Sequence, residues 1–349
     1  RRRAGSRTRV HATAVAPPQT LGRLPAPAPG PGPGQGRGAV RAHGVHLLDT
    51  TLRRGEATGG PLPLPALPTI PGREVAGVVD VVGPGVDAAW RGRRVAAHLG
   101  ATPDGGGYAR LAVVPVEALH RIPDHVTAPD ALAMIGTGRT AVGVLDLAEL
   151  TATDTVVVTA AAGGLGTLLV QSALAAGARV VALAGGPEKV ALVRSLAREA
   201  QEDRLAAVDY RADAWLDEAR AAVGQHAPEG ATVLLDGVGG DAGADAASLV
   251  APTGRLVLYG WASGAPNRAG DVDHPDEKSG AAGGTPDVRW AVGPRARPWG
   301  DLSTLQERAL ALAADGTWRV VTHQIPLAEA ARAHRELEAR ATTGKVVLV

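Results

Sequence analysis

The sequence predicts an α/β protein: a parallel sheet built from strand–helix–strand units, preceded by an antiparallel, barrel-like part. Two observations carry this prediction. From residue 155 onward, short continuous apolar runs alternate with helix-like segments. Strands buried on both faces and joined through helices lie parallel. Ahead of Pro129, short β-like runs are separated by Gly/Pro/Asp turns, and close strands with tight turns favour an antiparallel barrel. The length of 349 residues suits one large or two ordinary domains, because a single core stops growing at about 250–300 residues.

The elements follow in order. Residues 1–9 carry five Arg and no apolar pattern; they read as a frayed terminus rather than a functional basic arm. The chain does not open with Met, which leaves its native start in question. Residues 25–38 alternate Pro and Gly, a pattern expected in neither helix nor interior strand, so a linker or extended loop is expected before a strand at 39–42. Strands follow at 75–82, 94–98 and 108–115, separated by turns such as Gly83-Pro84-Gly85 and Pro103-Asp104-Gly105. A helix is expected over 130–150, a strand over 155–159, a helix over 167–176 and a buried strand over 179–183. Pro187 is well placed at the first position of a helix over 188–200. Short strands are expected at 206–208, 232–235 and 255–259. Residues 267–296 are polar and rich in Gly, Pro and Asp, as a long insertion would be, with a strand at 288–292 inside it. Helices over 302–314 and 327–339, the latter amphipathic, and a strand over 345–349 close the chain.

Composition excludes several function classes. With 36 Lys+Arg against 35 Asp+Glu, the formal charge of +1 offers no global field for nucleic acid or an anionic membrane. The absence of Cys excludes disulfides, thiolate zinc sites, iron–sulfur clusters and cysteine nucleophiles. No apolar run is expected to reach the roughly 18–20 residues that span a bilayer. A globular, cytoplasmic protein is expected, its core built from Ala, Val and Leu.

The strongest local signal is Thr155–Gly166, TVVVTAAAGGLG, followed by a helix. Strand, glycine-rich turn and helix start place backbone N–H groups, and the positive end of the helix, against a diphosphate. The candidate contacts are Ala162, Gly163, Gly164, Leu165 and Gly166, with Ala161 where the common fingerprint has its first Gly. A carboxylate about 20 residues further on would hold the ribose 2′-hydroxyl of NAD. Ala184-Gly185-Gly186 stands there instead. The missing charge admits a 2′-phosphate, and Lys189, one of only three lysines, follows one helical turn later. NADPH is therefore expected over NADH.

The chain resembles the medium-chain dehydrogenase/reductase superfamily, and within it the zinc-free quinone oxidoreductases. The likeness runs through Gly44-Val45-His46-Leu47-Leu48-Asp49-Thr50, Pro71-Gly72-Arg73-Glu74-Val75-Ala76-Gly77 and Gly138-Arg139-Thr140-Ala141 to the glycine turn. It continues through Asp209-Tyr210-Arg211, Leu235-Asp236-Gly237-Val238-Gly239-Gly240, Tyr259-Gly260-Trp261-Ala262-Ser263-Gly264 and Arg340-Ala341-Thr342-Thr343-Gly344-Lys345. The resemblance implies a Rossmann parallel-sheet domain, residues 129–298, inserted into a GroES-like β-barrel catalytic domain, residues 1–128 and 299–349. Lys189 and Tyr210 would then flank the 2′-phosphate, Gly185 would belong to the cofactor site, and Thr140, the Tyr259 backbone region and Arg340 would line the rest of it. A homodimer or homotetramer is implied, with a small quinone or enone as acceptor and neither nucleic acid nor membrane as partner.

Zinc-dependent relatives carry Cys where His46 stands, His where Arg73 stands, and a four-Cys lobe. Arg cannot ligate a cation, and His43 and His46 lack a third donor close by, so no metal site is expected. Without a metal, hydride addition to a quinone or a carbonyl-conjugated double bond is easier than reduction of a saturated carbonyl, because the resulting anion is delocalised. His46 stands where zinc-free relatives usually have Asn. It could donate a hydrogen bond or a proton to the acceptor, or merely space the cleft. The catalytic tyrosine of one enoyl-reductase branch would fall near 54–61, where Gly55-Glu56-Ala57-Thr58-Gly59 has none. Asp49, Glu74 and Asp236 read as structural. An alkenal or enone reductase and a non-catalytic NADPH-binding protein are the alternatives.

Overall fold

The computed structural model describes residues 7–12, 21–56, 64–100, 106–265, 267–268, 286–293, 295–296 and 298–349. The expected turn at 103–105, residues 57–59 and most of the 267–296 insertion lie outside the described residues, as do residues 1–6. The chain divides into two units: Arg1–Arg139 with Asp301–Gly316 and Val320–Val349, and Thr140–Gly300 with Thr317–Arg319.

The first unit opens with the antiparallel pair β1 (Arg7–Ala12) and β2 (Leu21–Ala26). Next come β3 (Gln35–Gly44), α1 (Leu47–Arg53), β4 (Glu74–Val82), β5 (Arg94–His98), β6 (Leu111–Pro115) and β7 (Leu119–Arg121). The Pro/Gly tract contains more strand than its composition predicts. Gln35–Gly38 belong to β3, an interior strand that pairs with both β4 and β6. The last proline is Pro33, so every residue of β3 keeps its amide donor. Register shifts at Arg37/Gly38 and Val40/Ala42 let the strand bend between partners, and Arg37 is held by Asp80 at 2.9 Å.

A helix then runs through α2 (Ala128–Ala133), a π-helical turn (Met134–Gly138) and α3 (Arg139–Ala148). Residues 129–139 group with the first unit because α2 packs on β3 and the π turn packs on a later helix of the same unit. Gln306 of that helix donates to the carbonyl of Ile135 at 3.1 Å, so a side chain satisfies an acceptor in the widened turn. Contrary to the sequence expectation, Ala128–Ala148 is long and apolar enough to cross a membrane by length and composition; 67% of its apolar window is buried in the protein.

The second unit is a six-stranded parallel sheet. In chain order it comprises β8 (Thr155–Val158), α4 (Gly164–Ala175), β9 (Arg179–Ala184), α5 (Pro187–Arg194), β10 (Leu205–Asp209), α6 (Trp215–Gly224), β11 (Ala231–Asp236), α7 (Gly240–Ala247), β12 (Val250–Leu258) and β13 (Asp287–Trp290). The spatial order is β10-β9-β8-β11-β12-β13. α5 stops at Arg194, short of the expected 200: Ser195 Oγ bonds the carbonyl of Leu192 at 2.7 Å, and Glu199–Arg204 form a separate 3₁₀ turn. Thr317–Arg319 join this unit because Trp318, 2% exposed, donates to Ser172 Oγ at 2.8 Å.

The chain returns to the first unit with α8 (Leu302–Ala314), β14 (Thr322–Ile325), α9 (Ala330–Glu338) and β15 (Lys345–Leu348). Asp301 caps α8, accepting from the amides of Ser303 and Thr304. β15 lies between β14 and β3, which places the end of the chain two strands from β4.

Candidate active site

The strands of the second unit all point the same way, so their carboxyl ends form one edge. From β8 the chain steps outward through β9 to β10, then returns beside β8 as β11 and steps the other way. The crevice between β8 and β11 is therefore the switch point at which open α/β sheets bind ligands. The glycine turn lies there. Ala160, at φ 48°, reverses the chain, and the Ala161 amide bonds the carbonyl of Leu183 at 3.0 Å. Gly163 is the N-cap of α4, and no side chain caps the helix, so its first amides are not shielded by a capping group. A β-carbon at Gly166 would lie 2.2 Å from the carbonyl oxygen of Ala160; only glycine lets the helix approach the strand so closely. Ala162 is buried, and Gly163, Gly164 and Leu165 are half-buried.

One strand along, the edge lacks a side-chain carboxylate where a 2′-hydroxyl would be held. Tyr210 lies directly against Gly185, and Lys189, half-buried, stands in the first turn of α5. The nearest acid, Asp209, accepts from the amides of Gly186 at 2.7 Å and Arg211 at 3.0 Å. Those backbone bonds, Arg211 first and then Gly186, hold its pKa below the ordinary value. Arg211 was not singled out as a site residue from the sequence. Its guanidinium lies beside Gly186, and the signal was its place directly after Tyr210 at the end of β10.

Asp236, fully buried, ties the other side of the crevice together. It accepts from Thr159 Oγ1 at 2.7 Å, the amides of Val238 and Gly239 at 2.9 and 3.1 Å, and Asn267 Nδ2 at 2.6 Å. Tyr259 donates to the carbonyl of Thr159 at 3.3 Å, and burial pushes its phenol pKa upward. Thr140, half-buried, opens this unit on α3. Thus Ala162–Gly166, Gly185, Lys189, Tyr210 and Tyr259 share one sheet edge. His46 and Arg340 belong to the first unit, Arg340 exposed at φ 54° behind α9.

His46 is the N-cap residue of α1, its amide donating to Asp49 Oδ2 at 2.8 Å. Its Nε2 lies 3.0 Å from Glu74 Oε1 and 2.8 Å from Lys345 Nζ, and Lys345 Nζ lies 3.2 Å from Glu74 Oε2. Burial penalises charge on both His46 and Glu74, but the carboxylate raises the His46 pKa, and His46 and Lys345 hold Glu74 well below the carboxylate range. Neither Glu74 nor Lys345 was singled out as a site residue from the sequence. Among the described residues no group of three or more His, Asp or Glu side chains is placed to hold a metal ion. The donor set agrees with that, because Arg73 is buried and an ammonium lies against His46 Nε2.

A parallel sheet carrying an uncapped glycine turn at its switch point defines a dinucleotide-binding protein. Residues 32–124 match the family described as alcohol dehydrogenase GroES-like domain, and 203–348 the family described as zinc-binding dehydrogenase. The donor set described above does not fit the metal that the second description implies. The chain is 33% identical over 311 residues to a quinone oxidoreductase of Pseudomonas aeruginosa, covering 88% of this chain and 89% of that protein. It is 30% identical to a 2-haloacrylate reductase of a Burkholderia species, covering 88% of each. A mycobacterial protein solved in complex with NADPH superposes with a TM-score of 0.78 at 30% identity, covering 99% of this chain and 100% of that one. The chain belongs to the medium-chain dehydrogenase/reductase superfamily, among its quinone oxidoreductase-like members, and is an oxidoreductase.

Proposed function

We propose that the protein transfers a hydride from NADPH to a quinone or related conjugated carbonyl without zinc. The observation that carries the cofactor choice is the edge at Gly185: β9 itself ends without a carboxylate, Asp209 is tied to the amides of Gly186 and Arg211, Tyr210 lies against the glycine and Lys189 stands one turn away. When bound, NADPH supplies the hydride. The amides of Gly163–Gly166 hold its diphosphate, Lys189, Tyr210 and Arg211 take the additional phosphate, and His46 donates to the oxygen that becomes negative on the acceptor. The names of the Pseudomonas and Burkholderia relatives support an acceptor with a carbon–carbon double bond conjugated to a carbonyl. The haloacrylate relative favours a second reading, reduction of an enone or similar activated double bond.

Steady-state NADPH oxidation with p-benzoquinone and with a simple enone tests this. Faster turnover of the quinone is expected; preference for the enone moves the assignment to the second reading, and turnover of neither rejects both. Lys189→Ala is expected to weaken NADPH roughly 10–100-fold, the equivalent of one charge-assisted phosphate contact, while leaving NADH within about twofold. Equal losses for both nucleotides would remove the phosphate assignment. Exhaustive chelation is expected to leave the rate unchanged, and activity that is lost and then restored by zinc would overturn the metal-free mechanism.

A further inference from the structure

We propose that Lys345 is a positioning residue for His46, the two side chains holding a single proton between them with Glu74 beside both. This rests on the reading of His46 as the group that serves the acceptor. The argument begins with the 2.8 Å separation of Lys345 Nζ and His46 Nε2. Two nitrogens this close need one N–H directed at one lone pair; two N–H groups would direct hydrogens at each other. Glu74 touches both partners, at 3.0 and 3.2 Å, so one carboxylate neutralises whichever of them carries the charge. The side-chain exposures set the direction of use. Glu74 is 1% and Lys345 6% exposed, whereas His46 is 29% exposed, so among these three only the imidazole can meet another molecule.

The surrounding charges are fixed by the fold. Asp49, on the helix that His46 caps, lies 3.7 Å from His46 Nδ1 and is itself held ionised: burial opposes its charge, but His46 outweighs it. His98 of β5 and Arg139 after the π turn also act on Glu74, and His334 of α9 acts on Asp49. Lys345 reaches the group because β15 pairs with β3, and β3 with β4. The affinity of the imidazole for a proton is therefore set jointly by the ammonium and the carboxylate beside it.

The test is NMR of ring ¹⁵N in the cofactor-free protein, with His46 assigned by its loss in His46→Asn. In the wild type above the His46 midpoint, Nε2 is expected to show the shift of an unprotonated ring nitrogen that accepts from Lys345 Nζ, with the ring proton on Nδ1. Lys345→Met leaves Glu74 with His46 as its sole cation at this contact, and is expected to raise the His46 midpoint by about one pH unit or more. The pH profile of kcat moves equally while KM for NADPH stays unchanged. Lys345→Arg keeps the charge and an N–H donor, so the His46 midpoint is expected to stay within about half a pH unit of the wild type. A protonated Nε2 in the wild type above the His46 midpoint, or an unmoved His46 midpoint in Lys345→Met, would overturn the proposal even if that variant is too unstable for kinetics. An accepting Nε2 together with full turnover by His46→Asn supports the pairing while rejecting the role of His46 toward the acceptor.

Discussion

Glu74→Gln is expected to lower the stability of the protein by about 3–5 kcal/mol, the cost of breaking a buried ion pair on one side. Its carboxylate is 1% exposed and lies 3.2 Å from Lys345 Nζ, itself 6% exposed. The amide would leave that ammonium buried without a counter-charge. For a cooperative unit of this size the loss corresponds to a fall in melting temperature of roughly 6–20 °C, read by calorimetry. The double variant Glu74→Gln/Lys345→Met is expected to recover part of it, because a neutral, packed pair avoids the unpaired charge. A melting temperature unmoved by Glu74→Gln would show that the cluster is hydrated rather than buried.

The second large effect is a loss of stability in mild acid. Burial holds His43, His98 and His334 at about 4, against 6.5 for a free imidazole. The contacts of two of them agree with neutral rings. His43 Nδ1 donates to the carbonyl of Gly107 at 2.6 Å. At His334, Arg53 can only donate to Nδ1, at 3.2 Å, so the proton sits on Nε2 and is donated to the Tyr108 hydroxyl at 3.0 Å. The unfolded chain binds these protons below pH 6.5 and the native state does not. The stabilisation is therefore whole above pH 6.5 and declines as the pH falls toward 4. Its upper bound is on the order of 3 kcal/mol for each of His43 and His334. Denaturant melts at several pH values between neutrality and pH 4 should show the midpoint falling across that window. A flat midpoint would mean that these rings are already charged or hydrated.

Much of the fold is legible in the sequence where local chemistry and tertiary structure agree. β5 is bounded by turn residues, α8 starts at a capping Asp, and the glycine turn needs a residue without a β-carbon at 166 for a steric reason visible in the structure. Where tertiary contacts decide, the sequence is silent. α7, GDAGADAA, has too much glycine to read as a helix and forms because its buried face packs over Asp236 and the adjoining strands. β14, THQI, is a polar outer strand without alternation. α1 is masked by its two adjacent threonines, which favour extended structure. The edge that carries the glycine turn is local, its residues following the ends of successive strands, so their placement side by side could be read in advance. The Glu74–Lys345–His46 cluster joins segments from opposite ends of the chain and exists only because β15 returns beside β3.

The cofactor assignment is tested most directly by calorimetric titration of the protein with NADPH and, separately, with NADH. NADPH is expected to bind at a single site per chain, about tenfold or more tighter than NADH, because only the phosphorylated nucleotide meets Lys189. Equal affinities for the two, or no heat with either, would contradict it.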